Sequence, residues 1–174
     1  MRVIAGEFRS RRLKAPPGLE VRPTPDRLRE SLFGILGVRV EGCVFVDAYA
    51  GSGAVGIEAL SRGARRAVFI ERSRAALRVL RENLESLGLL NRAEIVSGRA
   101  AAVLERHPGD IVFLDPPYGL EKEYASCLDV LGRMAPPLTI AQHASRVTLA
   151  EGYGQVQRVR VVKQGDNALS FYEP

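Results

Sequence analysis

The sequence predicts an α/β protein: a mostly parallel, doubly wound sheet, preceded by a short basic β-arm and closed by an antiparallel hairpin. Three observations predict it. Short unbroken apolar runs recur along the chain (Cys43-Val44-Phe45-Val46, Ala67-Val68-Phe69-Ile70, Ile111-Val112-Phe113-Leu114), as in strands buried on both faces. Helical spacing separates them, most clearly Leu77, Leu80, Leu84 and Leu87. The joining loops are short, which suits right-handed βα units.

Each element follows in order. Residues 1–23 read as an extended arm in which residues 2–5 and 8–13 pair around Gly6-Glu7, until Pro16-Pro17-Gly18 breaks the chain. Thr24 as N-cap and Pro25 at the first helical position open a leading helix over 24–37, with Leu28, Leu32, Phe33 and Leu36 on one face and Gly37 at its end. The core, 42–174, then alternates strand 43–46, helix 53–62, strand 67–70, a helix ending near Gly88, strand 93–96, short helix 100–106 and strand 111–114. A helix over 121–134, an extended stretch 138–141 and a hairpin of 155–163 with 167–172 around Gly165-Asp166 complete a single domain. In such sheets ligands bind at the carboxyl ends of the strands, beside the point where strand order reverses.

Composition narrows the function. With 174 residues, 46% hydrophobic and 26% charged, the chain can bury its own core, which excludes a disordered chain or a coiled coil. No apolar run approaches the ~18–20 residues of a membrane span, and the first residues lack the pattern of a signal peptide. Cys43 and Cys127 stand alone, which excludes a disulfide framework or structural zinc site and suits a cytoplasmic protein. The net charge is +5, and residues 1–29 alone hold eight basic groups against three acids, so the excess lies in the N-terminal segment. Clustering of this kind suits a polyanion partner as well as a solvated surface.

Two motifs carry chemistry. Gly51-x-Gly53-x-x-Gly56 follows the first core strand, where glycines allow a sharp turn and close approach of a ligand. That spacing alone also fits a nicotinamide dinucleotide. Asp47, ahead of the glycines, attracts an ammonium group rather than a pyrophosphate, and Glu71 ends the next strand, where an acid grips ribose hydroxyls. An amino-acid ammonium plus a ribose describes S-adenosylmethionine better than NAD. The second motif is Asp115-Pro116-Pro117-Tyr118, directly after the strand 111–114. Two prolines make the turn rigid and leave its carbonyls to accept. A carboxylate and a carbonyl side by side can accept both hydrogens of an exocyclic amine, and an adjacent ring can stack on the heterocycle that bears it.

The tetrapeptide resembles the catalytic motif of amino-group methyltransferases, and residues 47–56 resemble their S-adenosylmethionine motif. With Arg2-Val3-Ile4-Ala5-Gly6, Arg11-Arg12-Leu13 and Arg22-Pro23-Thr24-Pro25-Asp26-Arg27-Leu28-Arg29-Glu30-Ser31-Leu32-Phe33, the chain is similar to the RsmD family, which methylates the N2 amine of a guanine in 16S ribosomal RNA. The resemblance implies a Rossmann-like S-adenosylmethionine-dependent methyltransferase fold with Asp115, Pro116, Pro117 and Tyr118 as catalytic residues. It implies cofactor contacts from Asp47, Ala48, Gly51, Ser52, Gly53, Glu71, Arg72, Arg99 and Ala100, and RNA contacts from Arg2, Arg9, Arg11, Arg12, Lys14, Arg22, Thr24 and Arg27. It also implies a monomer acting on ribosomal RNA in a small-subunit particle, with neither membrane nor metal. Arg99 departs from the acid or amide that related enzymes often place beside the adenine.

Other readings stay open at this point. An adenine-N6 methyltransferase on DNA or RNA would use the same tetrapeptide, and a non-catalytic ribosome-binding protein could keep the fold. The glycine turn alone would also fit a dehydrogenase. His107 reads as structural, His143 as a hydrogen-bonded surface histidine, and Tyr49 as either a ligand contact or packing beside the glycine turn.

Overall fold

A computed structural model of the chain describes residues 1–16, 26–117 and 119–174. The helices are α1 (Asp26–Leu36), α2 (Ala54–Ser61), α3 (Arg74–Ser86), α4 (Ala100–Val103) and α5 (Glu121–Met134). The strands are β1 (Val44–Asp47), β2 (Arg66–Glu71), β3 (Ala93–Ser97), β4 (Ile111–Leu114), β5 (Leu138–Ala144), β6 (Gly152–Tyr153), β7 (Val156–Gln164) and β8 (Asn167–Glu173). They form one sheet in the order β3-β2-β1-β4-β5-β8-β7-β6. β1 to β5 are parallel, and β6 to β8 run antiparallel at one edge.

Alternation along the central strands divides the core into two layers. Phe45, Phe69 and Phe113 face one side, where Leu32, Phe33, Ile57, Leu60, Leu80 and Leu84 of α1, α2 and α3 cover them. Val46, Val68, Val112 and Leu114 face the other, under Ala100, Val103, Leu128 and Leu131 of α4 and α5. Burial on both faces explains why these strands are apolar throughout. The chain leaves β1 toward β2 and β3, then crosses back to β4 on the other side of β1. The strand order therefore reverses between β1 and β4, which pair as Phe45 with Ile111 and Val46 with Val112.

The structure alters several sequence expectations. β5 reaches Ala144 rather than 141, because it pairs with β4 on one side and β8 on the other. The short helix at 100–106 is one α-helical turn followed by a 3-10 turn, Leu104–Arg106. The arm pairs through a single antiparallel bridge, Arg2 with Arg12, instead of two strands. Backbone bonds from Val3 to Arg11, Ser10 to Val3 and Leu13 to Met1 hold the arm to itself, and its backbone also bonds to α2. Glu58 accepts the amides of Ile4 and Ala5 at 2.8 and 3.0 Å, and Ser61 accepts that of Phe8 and donates to the carbonyl of Ala5. Val3 and Leu13 enter the core beside α1 and α2. The proposed cap at Thr24 and Pro25 lies outside the described residues, as do Arg22 and Tyr118.

Candidate active site

The carboxyl ends of β1 and β4 flank the reversal of strand order, those of β2 and β3 follow on the β1 side, and four acidic or glycine-bearing turns lie along this edge. β1 ends in Asp47 and runs through Ala48 to the glycine loop. Gly51 adopts φ +54, and a Cβ there would meet no described protein atom within 4 Å. Its conformation, rather than crowding, requires glycine. A Cβ at Gly56 would lie 2.3 Å from the Phe69 ring, so this glycine lets α2 pack on β2. Gly53, at φ +85, has no room for a Cβ either, which would lie 2.4 Å from Leu80, so the loop has one open and one crowded glycine and α2 carries a third that packs.

Glu71 fastens that loop. Its Oε2 accepts the Gly51 amide at 2.9 Å, and its Oε1 accepts the amides of Arg72 and Ser73 at 2.8 and 2.7 Å. Backbone donors therefore aim the carboxylate across the end of the sheet, with acceptor capacity left for a further hydroxyl. Asp47 is buried and its Oδ2 accepts the Gly56 amide at 3.0 Å, in the first turn of α2. Burial pushes its carboxyl up to about 7, and the charges of Asp115 and Glu71 push it the same way. A buried carboxyl with two anionic neighbours suits a cationic ligand group. Ala48, Ser52 and Ala100 are buried around this end of the sheet, whereas Arg72 is exposed and meets Glu71 through its amide.

The second turn follows β4. Asp115 is half-buried, Pro116 buried and Pro117 exposed, so the carboxylate and the prolines pass from core to surface within three residues. Asp47 pairs in register with Phe113, two residues before Asp115, so the acidic turn lies across the β1–β4 junction from the glycine loop. Beside the turn, Pro117, Leu120, Tyr124, Ala144, Arg146 and Val147 line a small pocket. Tyr124 anchors its floor by donating to the Gln142 carbonyl at 2.6 Å.

Comparison with known proteins shows the family. Residues 1–173 match the family described as conserved hypothetical protein 95. Ribosomal RNA small subunit methyltransferase D of Escherichia coli is 41% identical over 139 residues, 78% of this chain and 70% of that one. YlbH of Bacillus subtilis is 34% identical over 181 residues, covering 99% of this chain and 98% of the relative. The yhhF structure from Escherichia coli superposes with a TM-score of 0.84 at 34% identity, over 99% of this chain and 97% of that one. The chain belongs to the RsmD family.

Within this RsmD-family chain, Arg99 does not face the interior of the site. It caps the start of α4, is exposed, and its guanidinium pairs with Glu123 Oε1 of α5 at 3.1 Å. Glu123 Oε2 in turn accepts the Tyr49 hydroxyl at 2.9 Å, and Cys127 Sγ lies 3.1 Å from the same hydroxyl. Burial raises the Glu123 carboxyl, but hydrogen bonds from Tyr49 and Arg99 outweigh it and leave the group below its ordinary range. Arg99, Glu123 and Tyr49 therefore tie the loop after β3 to α5 and to the segment after β1. The sequence reading missed Glu123 because a glutamate in a helix's first turn looks like any dipole-favoured acid. Tyr49 joins this wall of the site through its hydroxyl.

The basic arm is less uniform than its charge suggested. Arg2, Arg9, Arg11, Arg12, Lys14 and Arg27 are exposed. Arg11 donates to the Ser86 carbonyl at 3.2 Å, and Lys14 pairs with Glu82 at 2.8 Å. Arg29, counted with the surface charge, is fully buried; it donates to the Arg2 carbonyl at 2.6 Å and to Asp26 at 3.0 Å. It is a structural strut. His143 is also corrected: it is buried at 6% exposure, with Nε2 2.8 Å from Ser170 Oγ and Nδ1 2.9 Å from the Ala144 carbonyl. Burial lowers its imidazolium below the ordinary range. His107 pairs with Glu94 at the amino end of the sheet, far from the site. Among the described residues no helix is long and apolar enough to cross a membrane, and no group of three His, Cys, Asp or Glu could hold a metal ion.

Proposed function

We propose that this chain transfers a methyl group from S-adenosylmethionine to the N2 amine of a guanine in 16S ribosomal RNA. The observation that carries the reading is the pairing of the glycine loop after β1 with the Asp115-Pro116-Pro117 turn after β4, on either side of the reversal point. Family membership supports the RNA substrate class, and the family resemblance carried by the N-terminal block favours guanine over adenine. A ribosomal RNA substrate supports a cytoplasmic location.

The donor set fits the cofactor. Glu71 offers a carboxylate held by three amides for the ribose hydroxyls, Asp47 offers a buried carboxyl for the ammonium, and Gly51 leaves room for close approach. Ala48, Ser52, Gly53, Ala100 and the backbone of Arg72 and Arg99 complete the cofactor side, the Arg99 side chain being turned to Glu123. When bound, S-adenosylmethionine supplies an electrophilic methyl group. Asp115 and the Pro116 carbonyl accept the two hydrogens of the guanine amine and direct its lone pair toward that methyl. Tyr118 offers a ring on which the flipped base stacks. Flipping costs a few kcal/mol. Alignment of this kind can lower a barrier by ~7–11 kcal/mol, so neither a strong base nor a covalent intermediate is needed. Asp115 or water takes the proton that the methylated amine releases.

The arm supplies the phosphate contacts, through Arg2, Arg9, Arg11, Arg12, Lys14, Arg22, Thr24 and Arg27, and the protein works as a monomer on a small-subunit particle. Incubation with methyl-labelled S-adenosylmethionine and unmethylated 16S ribosomal RNA, naked and assembled, tests the reading. Label in the RNA of the assembled particle is the expected result. Tight binding of NAD instead of S-adenosylmethionine, with no label transferred, would overturn it.

A further inference from the structure

Asn83, on α3, lies between the two parts of the molecule that the proposed reaction assigns to different ligands. Its side chain is 2% exposed, and backbone groups fill three of its hydrogen-bonding capacities. Oδ1 accepts the Lys14 amide at 2.8 Å. Nδ2 donates to the Lys14 carbonyl at 3.0 Å and to the Ser52 carbonyl at 2.9 Å. Rotating the amide by half a turn would set its nitrogen against an N–H and its oxygen against two carbonyls, so the network admits one orientation. A single rigid plane thus joins the end of the basic arm to the glycine loop.

Asn83 is a direct side-chain link between arm and loop; a longer path runs through α2, which the glycine loop enters at Gly53. The glycine loop is fastened on its other side by Glu71 through Gly51, and the arm by Glu58 and Ser61 through residues 4–8. Lys14 keeps its side chain outward, on Glu82, while its backbone is committed to Asn83. A polyanion that immobilises the arm therefore fixes the Lys14 backbone, and through the Asn83 amide it fixes the Ser52 carbonyl. A ligand ordering one side lowers the ordering cost met by a ligand on the other.

We infer that Asn83 is a positioning residue through which RNA on the basic arm and S-adenosylmethionine on the glycine loop tighten each other's binding. The inference rests on the proposed function, because it needs RNA on the arm and cofactor in the loop. Coupling of this kind is reciprocal: the factor by which RNA tightens the cofactor must equal the factor by which the cofactor tightens RNA.

Calorimetric titration of the full chain with S-adenosylhomocysteine, with and without a saturating unmethylated 16S ribosomal RNA transcript, measures that factor; the converse titration checks it. The wild type should show a factor of about fivefold or more in both directions. In Asn83→Ala both ligands should still bind, with the factor reduced toward one. Glu82→Ala, which leaves all three Asn83 bonds in place, should keep the wild-type factor. Hydrogen exchange of residues 49–56 in the wild type gives a measure independent of any variant, and RNA alone should slow it. A wild-type factor of one, an unchanged factor in Asn83→Ala, or unaltered exchange on adding RNA would each overturn the coupling. Failure of the underlying reading looks different: RNA affinity would then be indifferent to replacement of the arm's arginines.

Discussion

The Glu71 carboxylate accepts the Gly51 amide at 2.9 Å across the ends of β1 and β2, so the group proposed to grip the ribose also fixes the loop that admits the cofactor. One residue thereby couples the shape of the site to its recognition chemistry. Glu71→Ala removes charge-assisted hydrogen bonds worth roughly 1.5–3 kcal/mol. S-adenosylmethionine binding should weaken about 10- to 150-fold. Calorimetry that returns wild-type affinity would show that the ribose lies elsewhere.

Asp47 gives the site a pH dependence. Its native carboxyl is raised to about 7 from an ordinary value of 3.8, so the folded chain holds a proton that the unfolded chain has already released. Its contribution to stability is therefore complete at the acid end and is lost as pH rises through about 7. An ammonium ligand favours the ionised form. Cofactor affinity should accordingly climb as pH rises toward neutrality, until the ligand's own amine, near ~8, loses its proton. Asp47→Asn should flatten the rising limb in titrations across pH 5–8; an identical profile in the variant would assign that limb to another group.

The arm's exposed arginines should act through phosphates. Replacing Arg9, Arg11 and Arg12 together by alanine removes up to three contacts, at about 0.7 in the slope of log K against log salt for each on single-stranded RNA. The slope should become less steep by roughly 2. Stability should change little, since all three side chains are exposed and Arg11 gives up one surface hydrogen bond. An unaltered slope with normal RNA affinity would return the charge to a solvated surface.

Glu58 should behave in the opposite way. It is fully buried, accepts the amides of Ile4 and Ala5, and pairs with Arg62 at 2.7 Å. Glu58→Ala leaves these donors without their acceptor and should cost on the order of 3 kcal/mol, as breaking a buried pair does. Thermal unfolding would report the loss. A melting temperature equal to wild type would mean that the arm is not held through α2.

Much of this architecture is legible in the sequence, for physical reasons that differ by element. The strands at β1, β2 and β4 announce themselves because burial on both faces demands unbroken apolar runs, and α5 begins and ends where its periodicity does. Asp47, Glu71 and Asp115 could be placed because each closes a strand, and strand ends are where this topology gathers its ligands. What sequence spacing could not disclose is long-range side-chain geometry. Asn83 is one more polar residue on α3 until the arm and glycine loop are seen to share it. Arg29 and His143 read as surface groups because their burial depends on elements distant in the chain, Arg2 in one case and Ser170 in the other.

The most direct test of the account is the identity of the methylated nucleoside. Unmethylated small-subunit particles are incubated with S-adenosylmethionine and either the wild-type chain or Asp115→Ala, and the digested RNA is analysed by mass spectrometry. The expected product is N2-methylguanosine at a single position with the wild type, and none with Asp115→Ala despite near-normal cofactor affinity. N6-methyladenosine as the product, or full turnover by Asp115→Ala, would contradict it.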